Sequence, residues 1–129
     1  MSYKVSTLLT RNLQEVVGEN DPARRRAAID ELYTEDGIFY DPSKGAYRGR
    51  DEIDRVAGAI RATHPDFRYP PIAEPEETGN SGRVRWVAGC PGEAPAYAGT
   101  DFIPNVLLHV ESSNGAKTQA HHLPCDYLL

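Results

Sequence analysis

Apolar residues in the first third of the chain recur at helical spacing. Between residues 4 and 18 they fall on one face of a helix: Val5, Leu8, Leu9, Leu13, Val16 and Val17. Gly18 favours a helix end, and Asp21 followed by Pro22 is typical of a helix start. The pattern therefore predicts a first helix over 4–18 and a second over 22–33.

A third helical stripe is the most regular in the chain. Its apolar residues follow the i, i+3, i+4, i+7 pattern: Ile53, Val56, Ala57 and Ile60. We expect this helix to begin at Arg50 or Asp51 and to end before Pro65. Between the second and third helices, Ile38–Asp41 is predicted to be a short strand and 42–50 a loop.

After residue 66 the pattern is typical of strands. Charged and apolar residues alternate at the start of 83–89, as in a half-buried strand. The other predicted strands and turns are a strand at 67–69, a turn at 80–82, strands at 96–103 and 106–111, a hairpin turn at 112–115 and a strand at 117–122. Helices followed by strands indicate an α+β fold, and 129 residues fit a single domain over 1–129. A sheet that curls around helices leaves a cone-shaped cavity suited to a small ligand.

Charge and hydropathy exclude several functions. The chain has 19 acidic and 14 basic residues and a net charge of −5, which disfavours nucleic acid as a partner. No run approaches the roughly 18 apolar residues of a membrane span, and the start lacks the apolar core of a signal peptide. We therefore expect a cytoplasmic protein without a membrane contact.

The sequence predicts no metal and no cofactor. His121, His122 and Cys125 do not form an established zinc pattern, and the chain has no nucleotide-binding glycine motif. Cys90 and Cys125 lie far apart without a CxxC pattern, and we interpret them as reduced thiols. A disulfide between them is the alternative.

Asp41 is the first candidate for chemistry. It ends an apolar and aromatic run, Ile38 to Tyr40, and precedes Pro42. A carboxylate at the end of a buried strand is either exposed at the strand mouth or placed there to react. Capping of the turn through Pro42 is the structural alternative.

The stretch around Asp41 resembles a known signature. LYTEDGIFYDPSKGAYRGRDEI, from Leu32 to Ile53, is similar to the nuclear-transport-factor-2-like superfamily, and most to its SnoaL-like and ketosteroid-isomerase-like branch. Ala98–Asp101 also resembles the acidic strand segment of such proteins. The resemblance implies a cystatin-like cone, in which a curved mixed or antiparallel sheet wraps around N-terminal helices. It further implies a homodimer and a small apolar ligand.

The resemblance also implies roles for two acids. Asp41 matches the general base of ketosteroid isomerase, and Asp101 matches a second acid that acts as proton donor or oxyanion partner. The isomerases add a first-helix tyrosine at a place near Leu13, but this helix has no tyrosine beyond Tyr3. Steroid isomerisation is therefore not expected, whereas cyclase-like chemistry is compatible. The last quarter, 104–129, departs from the family pattern.

Two functional hypotheses follow. Carboxyl groups beside aromatic walls are poorly solvated, which shifts their pKa upwards and suits proton transfer near neutral pH. The candidate ligand-contacting residues are Tyr33, Tyr40, Trp86 and Tyr97, each of which could instead belong to the core. The first hypothesis is a cofactor-free isomerase or cyclase-like lyase that acts on a small apolar carbonyl compound. The second is a non-catalytic ligand-binding or dimerisation module of the same fold.

Overall fold

Helices cover one face of a six-stranded sheet. The computed structural model describes residues 4–41, 45–105 and 109–117, and it describes side chains over 4–40 and 45–103. The helices are α1 (Val5–Arg11), a π-helical segment that continues it (Asn12–Val17), α2 (Pro22–Leu32) and α3 (Arg50–Thr63). The strands are β1 (Ile38–Asp41), β2 (Gly45–Arg48), β3 (Glu76–Thr78), β4 (Ser81–Ala88), β5 (Tyr97–Asn105) and β6 (His109–Lys117). This is the predicted α+β fold.

Side chains fix both ends of α2. The Asp21 carboxylate accepts a hydrogen bond from the Arg24 backbone N–H at 2.9 Å, so it caps the helix as its sequence position indicated. At the other end, the Arg50 guanidinium donates to the carbonyl oxygens of Tyr33 and Asp30. These bonds satisfy carbonyls that a helix end leaves without partners, and they hold Tyr33 in place.

The first helix changes its winding at Asn12. Residues 5–11 are α-helical, and Asn12–Val17 forms a π-helix that ends before Gly18. A Cβ on Gly18 would lie 2.6 Å from the Leu13 carbonyl oxygen, so this tight end requires glycine. Short π segments occur often at functional sites. The apolar stripe correctly located a helix but contains no signal for its change of winding.

The sheet is mixed and curved. Its strand order is β2-β1-β6-β5-β4-β3, with β1 and β6 parallel and the other neighbours antiparallel. The pairing of β5 with β6 shifts register between Tyr97 and Gly99 and again between Phe102 and Asn105. Such irregularities bend strands and increase their twist. The curved sheet around N-terminal helices is the one that the resemblance implied.

The core lies between the helices and the inner face of β4 and β5. Alternate residues of β4 are buried, and Val84, Trp86 and Ala88 pair with Asp101, Gly99 and Tyr97 of β5. From the helical side the most deeply buried apolar residues are Leu9, Leu13, Val16, Ile29 and Ile53. The predicted half-buried strand at 83–89 is thus confirmed.

Three local predictions at the sheet edges are wrong. The expected loop 42–50 contains β2, because Gly45–Arg48 pairs with β1. Residues 67–69 form no strand and contribute only an isolated bridge between Arg68 and Gly89. The turn expected at 80–82 lies at residues 79–80, where Gly79 has a φ of 60°. This turn joins β3, a strand that was not predicted, to β4.

Two predictions near the end of the described chain are also wrong. β5 continues through Asn105, although this strand was predicted to end at residue 103. β6 runs through 112–115, where a hairpin turn was expected, since these residues pair along β5. Tertiary pairing here overrides local turn preference. The predicted strands at 106–111 and 117–122 lie partly outside the described residues.

Cys90 is buried and disulfide-bonded. The interpretation of this residue as a reduced thiol is therefore wrong. Cys125 lies outside the described residues.

Within the described ranges, no helix has the length and apolar character needed to cross a membrane.

Candidate acid–base site

A carboxylate lies at the centre of the buried face of the sheet. The Asp101 side chain, on β5, is only 1% exposed. Its Oδ1 accepts a hydrogen bond from Trp86 Nε1 at 2.9 Å, and its Oδ2 accepts one from Asn12 Nδ2 at 3.4 Å. Both donors are neutral. Hydrogen bonds to a carboxylate lower the penalty of burying its charge.

Asn12 links Asp101 to a tyrosine. The Tyr33 hydroxyl donates to Asn12 Oδ1 at 2.7 Å, and Tyr33 and Asn12 are both buried. Burial, and secondly the negative charge of Asp101, raise the pKa of the Tyr33 hydroxyl well above the usual value for tyrosine. This hydroxyl therefore remains a proton donor across the physiological pH range.

The network accommodates either protonation state of Asp101. With the Asn12 amide as placed, its nitrogen donates to the carboxylate and its oxygen accepts from Tyr33. Exchange of the amide oxygen and nitrogen positions would let Asn12 accept a hydrogen bond from neutral Asp101 and donate one to the Tyr33 oxygen. A group that gains and loses a proton in a buried site needs partners that can change roles in this way.

Four different elements bring this cluster together. Asn12 opens the π-helical segment, and Tyr33 follows the last residue of α2. Trp86 lies on β4, opposite Gly99 of β5, and its ring meets that of Tyr69 edge-on at 5.6 Å between centroids. The cluster therefore depends on the tertiary fold, and no local motif encodes it.

A narrow apolar cleft reaches the cluster at Tyr33. It runs between the π-helical segment and α3, and its volume is about 10 Å³. It is lined by Val16, Val17, Tyr33, Phe39, Ile53, Val56, Ala57 and Ile60. Asp101 is not among the lining residues. A space of this size holds at most about one water molecule.

The structure unites three of the predicted site residues. Asp101, Trp86 and Tyr33 belong to the buried cluster. Tyr97 is half-buried beside Phe67, with 6.1 Å between ring centroids.

The other two predicted site residues both belong to β1. Tyr40 is 36% exposed at the surface. Asp41 ends β1 opposite Gly45, and its side chain lies outside the described part of the structure.

Asn12 is the member of the buried cluster that the sequence reasoning missed. It lies three positions after Leu9 and four before Val16, so it occupies the apolar stripe of the first helix. A polar residue on a buried stripe needs a hydrogen-bond partner, and this was the available signal.

Among the described residues, no group of three or more His, Cys, Asp or Glu side chains is arranged to hold a metal ion. His121, His122 and Cys125 lie outside this part of the chain.

A curved mixed sheet wrapped around N-terminal helices defines a cystatin-like α+β fold. The family model of the SnoaL-like domain matches residues 11–107. The chain belongs to this SnoaL-like family. A search of curated proteins finds no match.

Solved structures share the fold. A candidate isomerase of the SnoaL-like family from Agrobacterium tumefaciens is 24% identical, with a TM-score of 0.76 over 85% of this chain and 96% of that one. A candidate SnoaL-like polyketide cyclase from Jannaschia sp. is 9% identical, with a TM-score of 0.66 over 88% of this chain and 90% of that one. A protein of unknown function from Methylobium petroleophilum, described as having a cystatin-like fold, is 14% identical, with a TM-score of 0.64 over 95% and 83% of the two chains. At these identities the likeness shows the fold alone.

Proposed function

We propose that this SnoaL-like protein catalyses cofactor-free acid–base chemistry, of the isomerase or cyclase type, on a small and largely apolar carbonyl compound. One observation carries the proposal. Asp101 is held inside the cone by two neutral donors, Trp86 and Asn12. Families of this fold include both enzymes and binding proteins, so the argument depends on this site.

Asp101 would act on the oxygen of the substrate carbonyl. In its protonated form it donates to the oxyanion that develops when a neighbouring carbon loses a proton. Trp86 and Asn12 act as positioning residues, since they fix both carboxyl oxygens. Asp41 is the proposed base, on the strength of the family resemblance.

The substrate would enter through the apolar cleft. The walls of this cleft come from the π-helical segment and α3, so a ligand must move them apart to reach Tyr33. Apolar walls exclude water and favour a ligand that carries few polar groups. A compact substrate with a single carbonyl fits these conditions.

Proton exchange tests the proposal directly. A small cyclic ketone, cyclohexanone, is incubated with the protein in D2O, and loss of its α-proton signals is followed by NMR. We expect exchange above the buffer rate, and we expect Asp41→Asn and Asp101→Asn each to slow it about 10²- to 10⁴-fold. The matched control is Asp66→Asn, an exposed carboxylate, which should exchange at the wild-type rate. If both site variants exchange as fast as the wild type, the assignment is wrong.

A non-catalytic ligand-binding module is the second candidate. The 1% exposure of Asp101 favours it, because a substrate cannot reach the carboxyl group in this conformation. The same NMR samples distinguish the two functions. Saturable chemical-shift changes without α-proton exchange would select the binding module.

We further propose a homodimer formed through the outer face of the sheet. Tyr40 and Phe102 are exposed there, and both positions pair with Glu111 of β6, which places them in one row across the sheet.

Location in the cytoplasm stays a prediction. The sequence analysis interpreted the cysteines as reduced thiols, which suits the cytoplasm. The disulfide at Cys90 removes that support, because disulfides are rare in that compartment.

A further inference from the structure

A second cavity lies away from the acid–base cluster, and we call it the arginine cleft. It has a volume of about 750 Å³ and opens between the 18–22 turn and the 65–68 turn. Three arginines line it, namely Arg24, Arg61 and Arg68. Its volume is in the range of small-molecule sites.

Arg61 forms the floor of the arginine cleft. It is 5% exposed, and its guanidinium donates to Asn20 Oδ1 at 2.8 Å, to the Phe67 carbonyl at 2.9 Å and to the Pro65 carbonyl. All three acceptors are neutral, so no carboxylate in the described part of the chain is bonded to this buried cation.

A buried charge without a counter-ion is destabilising. Removing a guanidinium from water costs several kcal/mol, which neutral hydrogen bonds only partly offset. In agreement with this, burial lowers the pKa of Arg61. A guanidinium has five N–H groups, so the three hydrogen bonds to described residues do not use all of them. An anion that enters the cleft would supply the missing charge.

Arg68 extends the positive surface to the rim. It is exposed, and its guanidinium makes no hydrogen bond or ion pair within the described residues. Arg24 differs because it already forms ion pairs. Its Nε lies 3.4 Å from Glu19 Oε1 and 3.7 Å from Asp21 Oδ2. The carboxylates of Glu19 and Asp21 also accept backbone N–H bonds, from Asp21 and Arg24 respectively.

Three carboxylates of the described residues line the cleft, and Asp66 is the one that could be changed without breaking an ion pair of Arg24. Asp66 lines the cleft and is exposed, with no ion pair in the part of the chain that the structure describes. Its charge should weaken the binding of an anion, as should those of Glu19 and Asp21, which share the single cation of Arg24. Asp66 therefore provides an internal control of opposite sign to Arg68.

We propose that the arginine cleft binds a small carboxylate or phosphate anion, with Arg61 at its floor and Arg68 at its rim. Guanidinium groups bind both anion types through paired N–H donors. The site is separate from the acid–base cluster, so it does not depend on the proposed catalytic activity.

Isothermal titration calorimetry tests the site. The full chain at low ionic strength is titrated with sodium phosphate, with disodium malonate and, as the salt control, with sodium chloride. We expect saturable heat from phosphate or malonate and none from chloride. The anion that gives the stronger binding identifies the ligand class, and the absence of saturable heat from both would overturn the proposal.

Two surface variants with opposite effects sharpen the test. Arg68→Gln should weaken binding about three- to tenfold, and Asp66→Asn should tighten it about threefold, because each removes one exposed charge. Arg61→Lys should abolish binding while a thermal melt still shows a cooperative transition. If Arg61→Lys does not fold, the two surface variants decide the question. Unchanged affinity in both would place the bound anion elsewhere and refute the assignment.

Discussion

At the scale of single residues, Asn12 gives this interior its particular chemistry. The isomerases that the sequence resembles carry a tyrosine on the first helix near this place. Here the first helix supplies an amide, and a hydroxyl comes from Tyr33 at the end of α2. The Asn12 amide bonds to both groups, so Tyr33 is linked to Asp101 through Asn12. A carbonyl substrate would then meet a different set of donors from that of the steroid isomerases.

The raised pKa of Tyr33 predicts an alkaline loss of stability. Above the pKa of free tyrosine, about 10, the unfolded chain loses the hydroxyl proton while the folded chain keeps it. Stability from this group is therefore full below pH 10 and decreases as the pH rises, by up to about 1.4 kcal/mol per pH unit. We expect Tyr33→Phe to reduce the slope of unfolding free energy against pH between pH 10 and 11, as measured by urea unfolding. An unchanged slope would contradict the assignment of this titration to Tyr33.

Some residues of the buried cluster could be predicted from the sequence, and others could not. Asp101 and Trp86 were identifiable because each lies in a strand segment with a recognisable pattern. Their contact was not, because it depends on the pairing of β4 with β5. Asn12 could be recognised as a polar residue on an apolar stripe, but nothing in the local sequence shows that the π-helical segment directs it towards Asp101.

At the scale of elements, α1 lies against β4 at a glycine. A Cβ on Gly82 would come within 2.5 Å of Val5 Cγ1 and 2.9 Å of the Glu76 carbonyl oxygen. Neither distance is compatible with an unmoved helix and strand. Gly82 thus sets how closely α1 approaches the sheet and, through α1, the position of Asn12.

We predict that Gly82→Ala destabilises the fold by about 1–3 kcal/mol, as measured by urea unfolding, because the added methyl overfills the contact. The double variant with Val5→Ala provides the control. Truncation of Val5 removes one of the two clashes, so the double variant should lose less stability than the two single variants together. Strict additivity would show that Val5 does not determine the effect.

The elements that the sequence predicted best are those with long periodic patterns. The α3 stripe and the alternation in β4 both mark their elements, because burial of one face imposes the period. β2 and β3 escaped prediction because they are short, lie at the sheet edges and are held by their neighbours. The extension of β5 and β6 through turn-like sequence depends on pairing between them.

At the scale of the whole molecule, the proposed dimer can be tested on the outer face of the sheet. We expect the wild type to sediment at about twice the 14.2 kDa mass of the chain. Phe102→Glu should shift it to the chain mass at micromolar concentration, because Phe102 is 37% exposed and its ring would be buried between protomers. Ala62→Glu, which adds the same charge on the exposed side of α3, is the matched control. A wild type at the chain mass would exclude the dimer.

The central position of β6 has a consequence for folding. This strand joins the β1–β2 hairpin to the β3–β4–β5 meander, yet it is the last described strand in chain order. Until residues 109–117 leave the ribosome, the two halves of the sheet have no strand between them. Because Ile38 must meet His109 across most of the chain, closure of the sheet involves contacts of long sequence separation, which form slowly. During synthesis the facing edges of β1 and β5 are therefore open to pairing with other chains.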